Sequence, residues 1–350
     1  MLVIDGSQGE GGGQVLRTSL SLSALTGRPF KLTRIRAGRS RPGLRPQHLT
    51  AVRAAAALCA AETEGAELNS TELTFRPTER PQGGAHSFDV TTASASGRSA
   101  GSVTLIAEAL LWPLLFAVAP ATVTLRGGTF VPFSPPYHYL AEVAAPAFGR
   151  LGAQCELELL QWGFMQAGQG EMRLRVTPVS GLQAANFRSL VAETIHGVAG
   201  VTNLPSHIPH RMARRAYNLL EEAGLNPDIE PRRETGAGPG AGIVLWRPQA
   251  GFSSLGRKGL PAEKVAEAAV AELLAFEDNE AAVDPHLADQ LLLPLALAGG
   301  RSHFTTNRLT GHTLTNAALL RHWLDVAIMI EGEVDQPASV TVDGVGFSLS

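Results

Sequence analysis

The segment 5–25, DGSQGEGGGQVLRTSLSLSAL, places one carboxylate, Glu10, in a run of glycines ahead of a stretch with a helical pattern. Glycine-rich turns that lead into helices can bind phosphate, because their bare N–H groups approach an anion closely. The segment lacks the Gly-Lys-Ser/Thr ending of a Walker loop, and Gln14 replaces the last glycine of the dinucleotide fingerprint. A purely structural turn therefore remains an alternative. A divalent cation bound between a carboxylate and a phosphate would offset their repulsion, so Glu10 is a candidate metal ligand. Arg17 could reach the same phosphate.

A short basic segment follows, in which glycines and a proline bend the chain between Arg34, Arg36, Arg39, Arg41 and Arg45. Guanidinium groups suit bidentate contacts with phosphate. A solvated basic loop is the alternative. Because the net charge of the 350 residues is −3, a globally basic nucleic-acid coat is excluded and a polyanion needs such a local patch. We interpret the segment as a phosphate-recognition patch, with Gln47 and His48 at the start of the next helix facing the same cleft.

A second acidic candidate lies in the segment 284–290, DPHLADQ, at the start of another predicted helix. Asp289 and Gln290 fall in its first turns. The helix dipole alone favours acidic residues there, so capping is one explanation. The functional alternative is that Asp289 binds a metal or a ribose while Gln290 recognises a nucleotide.

The segment 310–320, TGHTLTNAALL, places His312 directly before Thr313, which we predict to be an N-cap. The positive end of the helix dipole disfavours an imidazolium and predicts a neutral ring. A neutral imidazole nitrogen is a competent nucleophile toward phosphorus. A structural histidine is the alternative, and the residues alone leave both open.

Other features of the chain carry little chemistry. His207 and His210 lack a third ligand at zinc spacing, and Cys59 and Cys155 are predicted to be reduced. The start of the chain shows no signal-peptide pattern. Breaks at Glu108 and two prolines make the apolar run 102–125 too short for a membrane span, so it predicts a buried helix and a strand. We expect a cytoplasmic protein that does not associate with membranes.

The elements around these candidates repeat. Residues 14–35, 102–127 and 286–307 each read as an apolar helix, a glycine or proline break and a strand-like run. A second helix and further strands follow each of them, at 46–77, 136–160 and 313–344. Three βαβαββ-like units are the economical interpretation, since one unit alone has too little core. Chance similarity among helix–strand segments is the alternative.

About a hundred residues separate the second unit from the third helix pair. This segment has its own helices, a strand-like run (GIVLWRPQ) and a glycine-rich loop (TGAGPGAG) between turn-rich boundaries. We therefore predict an α/β (α+β) protein with a large domain formed by residues 1–180 and 280–350. A smaller α/β domain, residues 181–279, is inserted into the third unit.

Four blocks of the chain together resemble the RNA 3′-terminal phosphate cyclases: DGSQGEGGGQVLRTSLSLSALTG, IRAGRSRPGLRPQHLTA, HLADQLLLPLALAGG and GHTLTNAALL. The resemblance runs from end to end. It implies a large domain of three repeats, each with two helices on a four-stranded sheet, and a smaller domain inserted into the third. The repeat is similar to the C-terminal domain of a bacterial translation initiation factor and to the units of enolpyruvyl-shikimate phosphate synthase.

The resemblance also implies an ATP-dependent reaction on RNA that carries a 3′-phosphate. A histidine takes AMP from ATP, the AMP passes to the RNA 3′-phosphate, and the neighbouring 2′-hydroxyl expels it to give a 2′,3′-cyclic phosphate. The product forms readily because the hydroxyl is held beside the activated phosphorus.

Carried over by position, the resemblance makes His312 the adenylated residue. Glu10 and Asp289 become ligands of Mg²⁺ or Mn²⁺. The nucleotide and phosphate contacts implied are Arg17, Arg36, Arg39, Gln47, Glu108, His286, Leu287, Ala288, Asp289 and Gln290.

Two positions depart from the family pattern. Glu108 stands where bacterial relatives tend to have a glutamine that contacts the nucleotide, and Phe130 replaces a polar residue. A non-catalytic cyclase-like protein and an enolpyruvyl-transferase-like enzyme are the alternative functions, and neither needs His312. A homodimer is a default expectation.

Overall fold

Four β-sheets organise the described residues of this computed structural model, namely 1–10, 12–94, 97, 99–165, 168–190 and 194–348. Gly11 of the glycine-rich segment lies outside these ranges. Three sheets belong to units with the order βαβαββ, and the fourth belongs to a segment that interrupts the third unit. The predicted α/β class with a threefold repeat is confirmed.

The first unit contains β1 (Leu2–Asp5), α1 (Gln14–Thr26), β2 (Phe30–Thr33), α2 (Pro46–Leu58), β3 (Glu62–Glu64) and β4 (Leu73–Arg76). Its strands lie in the order β1-β2-β4-β3, with β1 and β2 parallel and the other neighbours antiparallel. The helix ends follow from the sequence. Pro46 occupies the first turn of α2, and Gly27 ends α1 with a φ of 67° that other residues adopt at a cost.

The second unit repeats this topology. It contains β5 (Gly84–Asp89), α3 (Val103–Leu115), β6 (Ala121–Gly127), α4 (Tyr137–Tyr139), a π-helical turn (Leu140–Ala144), α5 (Ala145–Gly149), β7 (Gln154–Gln161) and β8 (Gly170–Thr177). The strand order is β5-β6-β8-β7. The apolar run 102–125 is thus a buried helix followed by a strand, as predicted. Within the described ranges, no helix combines the length and apolarity that crossing a bilayer requires.

The interrupting segment contains β9 (Ile195–Thr202), α6 (His207–Glu222), β10 (Pro227–Glu234), β11 (Gly240–Arg247), β12 (Ala250–Leu255) and α7 (Ala262–Glu277). Its sheet has the order β10-β9-β11-β12. The two helices cover one face of this sheet and enclose a separate hydrophobic core around Val201, Ala216 and Leu273. The domain boundaries at 180/181 and 279/280 stay a prediction, with which this separate core is compatible.

The third unit continues with α8 (Pro285–Leu297), β13 (Gly299–Thr306), α9 (Gly311–Trp323), β14 (Ala327–Glu331) and β15 (Ala338–Val345). The sheet order is β13-β15-β14. Isolated parallel bridges place residues 183–186 beside β13, in the position of the unit's first strand. The N–H of Ala185 donates to the hydroxyl of Ser302 at 3.1 Å instead of to a backbone carbonyl. This hydrogen bond interrupts the backbone ladder, so isolated bridges are found in place of a continuous fourth strand.

One large core joins the three units. Leu20 of α1, Leu110 of α3 and Leu291 of α8 are completely buried members of it. The run of apolar residues along each helix explains this, because a helix that is apolar on most sides must be enclosed by neighbours. The units therefore fold around each other, and the start of each helix is held in a fixed place.

The interrupting segment packs on the second unit through aromatic rings. Phe130 is 1% exposed and stacks on Trp162 with ring centroids 4.7 Å apart, so it supports the ring that reaches the interrupting segment. Trp162 in turn lies against Gly200 of β9, where an added Cβ would lie 2.1 Å from the ring. Only glycine fits at this contact.

We expect Gly200→Ala to lower the free energy of unfolding by about 1–3 kcal/mol, because the methyl group must push Trp162 out of its packing. Gly149→Ala is the matched control, since a Cβ there meets nothing within 4 Å. Urea unfolding monitored by fluorescence measures both variants. Equal stability of the Gly200→Ala and Gly149→Ala proteins would contradict this description of the interface.

Candidate active site

The candidate residues of the first and third units meet where three helices come together. Gln14 begins α1, Asp289 lies in the second turn of α8, and His312 lies in the first turn of α9. The N-cap of α9 is Thr310, whose hydroxyl accepts from the N–H of Thr313 at 3.1 Å. The prediction of Thr313 as the cap is wrong, because the helix begins three residues earlier and includes His312. The histidine consequently projects from a helix turn that is fixed at its start.

A hydrogen-bonded chain orients the His312 ring. The Nε2 group of Gln14 donates to both carboxylate oxygens of Asp289 at 2.6 Å, which leaves Gln14 Oε1 to face the ring. His312 Nδ1 lies 2.9 Å from this oxygen. Since an amide oxygen only accepts, Nδ1 carries the proton. Nε2 is therefore the nitrogen on the exposed side of the ring.

Glu10 occupies the position in front of that nitrogen. Its Oε2 lies 2.8 Å from His312 Nε2, and the two side chains are 39% and 43% exposed. Both ring nitrogens thus face acceptors. The neutral ring expected from the sequence stays a prediction. The carboxylate of Glu10 covers Nε2, so a bound phosphate can reach this nitrogen only after Glu10 moves away.

The glycine-rich segment brings cationic groups against its backbone. A Cβ at Gly12 would lie 3.2 Å from Arg39 Nη2 and 3.9 Å from His312 Cε1. A Cβ at Gly13 would lie 3.0 Å from Arg17 Nη1 and only 2.3 Å from His48 Nε2. Gly13 is the N-cap of α1 and makes no side-chain cap bond, so it leaves the first N–H groups of that helix without a capping acceptor. This arrangement suits an anion such as the phosphates of a nucleotide.

The arginines of the basic segment have separate contacts. Arg39 Nη2 lies 3.9 Å from Glu10 Oε2, which places it beside His312. Arg36 donates to the carbonyls of Arg41 and Gly43 at 2.7 and 3.1 Å, and burial together with Arg39 and Arg45 lowers its pKa.

The remaining residues of this segment shape the loop. Arg34 pairs with Asp5, and Arg45 donates to Asn69 Oδ1 at 2.6 Å. His48 is 4% exposed, and burial and the neighbouring arginines hold its pKa well below the ordinary value, so it is neutral. Among the described arginines of the segment, Arg39 is the one that pairs with Glu10.

Gln47 joins the first unit to the second. Its Oε1 accepts from the N–H of Ser102, the N-cap of α3, at 2.9 Å. The same N-cap hydroxyl lies 2.7 Å from the hydroxyl of Thr104. Gln47 therefore fixes the start of α3 close to the start of α2.

The 286–290 segment presents its residues in different ways. Asp284, not Asp289, caps α8 by accepting from the N–H groups of His286 and Leu287, at 2.7 and 3.1 Å. His286 is exposed, whereas Leu287 and Ala288 are completely buried apolar residues. Their side chains pack in the core, so within this segment His286, Asp289 and Gln290 have the groups that can contact a ligand.

Several buried oxygen atoms lack partners among the described residues, and two of them belong to candidate nucleotide-binding residues. These two are Oε1 of Gln290 and Oε1 of Glu108. Such atoms are costly unless something satisfies them, so they are suited to hydrogen-bond a bound molecule. This fits a nucleotide that lies across α3 and α8.

The half-buried charged residues Arg17, Glu108 and Asp289 interact with one another. Burial raises the pKa of Glu108 to about 8, against the opposing charge of Arg17 and with further help from Asp289. Burial also raises the pKa of Asp289, while the Gln14 hydrogen bond and the charges of His312 and Arg17 oppose the change. Burial lowers the pKa of Arg17, which the two carboxyl groups partly offset. Glu108 is accordingly protonated near neutral pH and can donate one hydrogen bond.

The metal site expected from the resemblance is only partly formed by protein groups. Within the described ranges no cluster of three metal-binding side chains occurs. Both Asp289 oxygens accept from Gln14, which leaves Glu10 as the more accessible carboxylate. Mg²⁺ commonly takes one or two carboxylates with phosphate oxygens and waters, so the residues fit a cation that arrives with a nucleotide.

Several contacts of the site have no signal in the sequence analysis. In the sequence, Gln14 is notable only because it replaces the last glycine of the dinucleotide fingerprint, although it links Asp289 to His312. Asn316 donates to the carbonyl of Asp289 at 3.2 Å and accepts from Thr18 Oγ1 at 3.2 Å. Its position one helical turn after His312 is the pattern that could have revealed it.

The raised pKa of Glu108 predicts how stability changes with pH. The unfolded carboxyl loses its proton near its ordinary value of 4.5, and the folded one loses it only near pH 8. Because the folded state holds the additional proton between these values, wild-type stability falls relative to Glu108→Gln as pH rises from about 4.5 to about 8. Above pH 8 the difference should stay constant.

Urea unfolding of both proteins across this pH range measures the effect. The exposed Glu222→Gln on α6 is the matched control. A Glu108→Gln difference that does not change with pH, or that changes in the wild type's favour, would contradict the protonated state of Glu108.

Comparison with other proteins identifies the family. A family model described as RNA 3′-terminal phosphate cyclase matches residues 8–330. An RNA 3′-terminal phosphate cyclase of Gloeothece citriformis (strain PCC 7424) is 49% identical over 321 residues, which cover 90% of this chain and 91% of the relative. That of Nostoc punctiforme (strain ATCC 29133 / PCC 73102) is 46% identical over 347 residues, covering 97% and 99%.

Among solved structures, the enolpyruvyl transferase NikO from Streptomyces tendae aligns at 12% identity with a TM-score of 0.37. The alignment covers 99% of this chain and 49% of NikO, and a likeness this low carries no argument about function. The family match and the two sequence relatives cover nearly the whole chain, including the three helix starts that form the site. This chain belongs to the RNA 3′-terminal phosphate cyclase family.

Proposed function

We propose that this protein converts the 3′-terminal phosphate of RNA to a 2′,3′-cyclic phosphate, with ATP as the second substrate and His312 as the nucleophile. The observation that carries the proposal is the chain Asp289–Gln14–His312, which fixes the ring's proton on Nδ1 and leaves Nε2 facing the anion-binding loop. A histidine held in this way beside Arg17 and Arg39 suits attack on a phosphorus atom.

In the first step, deprotonated Nε2 of His312 attacks the α-phosphorus of ATP. A P–N bond forms, the bond from the α-phosphorus to the bridging oxygen breaks, and pyrophosphate leaves. The proton stays on Nδ1, which donates a hydrogen bond to Gln14 Oε1, and this bond stabilises the positive charge that develops on the ring. Arg17, Arg39 and the first N–H groups of α1 hold the phosphates.

In the second step, an oxygen of the RNA 3′-phosphate attacks the phosphorus of the bound AMP. The P–N bond breaks and His312 regains a free Nε2. In the third step, the 2′-hydroxyl attacks the 3′-phosphorus, its proton passes to solvent, and the bond to the AMP oxygen breaks. A vicinal hydroxyl reacts at a high effective concentration, so the third step needs little further catalysis.

Glu10 is the residue that changes partners in this scheme. A bound Mg²⁺ or Mn²⁺ supplies Lewis-acid polarisation and charge neutralisation of the phosphates. Glu10 would hold it, with Asp289 as the second candidate. Withdrawal of Glu10 from His312 uncovers Nε2, so the contact at 2.8 Å belongs to the resting enzyme.

The alternatives use the same fold without this chemistry. A non-catalytic cyclase-like protein would retain RNA binding but would not need the Asp289–Gln14–His312 chain. An enolpyruvyl transferase works without a covalent nucleotide. The hydrogen-bonded orientation of the ring, with Nε2 directed toward Glu10 of the glycine-rich segment, favours the cyclase. The cytoplasmic location and the homodimer stay predictions.

Incubation with ATP labelled at the α-phosphate, together with Mg²⁺, tests the first step. We expect an acid-labile, alkali-stable protein–AMP adduct that is absent from His312→Asn. His322→Asn, an exposed histidine later on the same helix, should retain it. Intact protein that forms no adduct, with folding verified, would contradict the proposal. Addition of RNA with a 3′-phosphate should then discharge the adduct and yield a phosphatase-resistant end.

Gln14→Leu tests the positioning of the ring. The change removes both the donor to Asp289 and the acceptor for Nδ1, so the rate of adduct formation should fall by roughly 10–100-fold, the cost typical of a misplaced reacting group. Single-turnover labelling at saturating ATP measures this rate. The exposed Gln8→Leu in the same loop is the matched control. An unchanged rate of adduct formation in Gln14→Leu would show that Gln14 does not position the His312 ring.

A further inference from the structure

Phe133 is an aromatic residue that the fold exposes completely. Its relative exposure is 102%, and its backbone φ is 61°. Bulky residues rarely adopt this left-handed conformation, because it strains the backbone. Because the backbone is strained and the ring makes no packing contact, the ring points to a function in binding another molecule.

The loop that carries Phe133 is held in one shape. Prolines at 132, 135 and 136 restrict its backbone on both sides of the ring. Ser134 Oγ donates to the carbonyl of Val131 at 3.0 Å, and the N–H of Tyr137 donates to the carbonyl of Thr129 at 2.9 Å. A rigid aromatic side chain loses little entropy when it binds a partner.

One end of this loop is tied to the candidate active site through Gln47. The hydroxyl of Thr104 donates to the carbonyl of Pro135 at 2.7 Å and contacts Ser102 Oγ at 2.7 Å. The N–H of Ser102 donates to Gln47 at 2.9 Å. One residue, Ser134, separates Pro135 from Phe133, a span of at most about 7 Å. The loop that carries the ring is therefore connected to Gln47 by three consecutive hydrogen bonds.

The other end is tied to the nucleotide-binding segment. Tyr139 donates to both carboxylate oxygens of Asp284 at 3.1 and 2.9 Å, and its ring makes an edge contact with His286. Phe133 thus stands on a short, rigid connection between the two groups of residues proposed to bind phosphate and nucleotide.

We propose that Phe133 is a stacking platform for a nucleobase near the 3′ end of single-stranded RNA. This inference rests on the proposed function, since it concerns the same substrate. Single-stranded nucleic acids are commonly bound by exposed aromatic rings, because every base has a flat face. The contact positions the RNA end and has no part in the transfer of AMP from ATP to His312.

The test compares Phe133→Ala, Phe133→Leu and Phe133→Trp on a short RNA with a 3′-phosphate. Loss of stacking is worth about 1–3 kcal/mol per base, so Phe133→Ala should lower kcat/KM for RNA by roughly 5–150-fold. Phe133→Leu should resemble Phe133→Ala, and Phe133→Trp should resemble the wild type. Val118→Ala, another exposed apolar residue beyond the far end of α3, is the matched control and should have no effect.

Abasic substitutions sharpen the test. Removing the base that Phe133 contacts should lower the wild-type kcat/KM and abolish the difference between wild type and Phe133→Ala. Adduct formation with ATP alone should be unchanged in every Phe133 variant. Full activity of Phe133→Ala on RNA, full rescue by Phe133→Leu, or slower adduct formation in Phe133→Ala would each overturn the inference. If the wild type forms no adduct, the proposed function fails instead.

Discussion

The hydrogen bonds from Gln14 to Asp289 and to His312 are the interaction on which the site depends. A buried carboxylate needs donors, and here one amide supplies them while its oxygen accepts from the imidazole. Removing any member leaves a buried polar group unpaired or the ring free to rotate. The ring's orientation is therefore secured by the need of the Asp289 carboxylate for hydrogen-bond donors, and this need does not depend on any bound substrate.

The repeat supplies the geometry for this interaction. Each member comes from the start of a different helix, and the helices are held together by completely buried apolar residues such as Leu20 and Leu291. Helix starts also present unpaired N–H groups, so the place where His312 is fixed is the place where an anion is stabilised. A single βαβαββ unit has only two helices and cannot bring these three positions together. Pairing of the units is thus a requirement for the site as well as for the core.

Much of the fold is predictable from the sequence, because glycine and proline breaks separate apolar helices from strand-like runs in each unit. The fourth strand of the third sheet is different: Ser302 replaces a backbone partner with a hydroxyl, which no pattern indicates. Within the site, the types of Glu10 and His312 suggest their chemistry. Their mutual contact is unpredictable from sequence, since it joins residues 302 positions apart. The neutral state of the His312 ring stays a prediction.

The atom of His312 that carries AMP tests the central claim most directly. Protein treated with ATP and Mg²⁺, or examined as a crystal structure of the adduct, shows whether phosphorus is bonded to Nε2 or Nδ1. A ring anchored through Nδ1 by Gln14 predicts attachment at Nε2, with the Nδ1–Gln14 hydrogen bond intact. Attachment at Nδ1, or at another residue, would contradict the account.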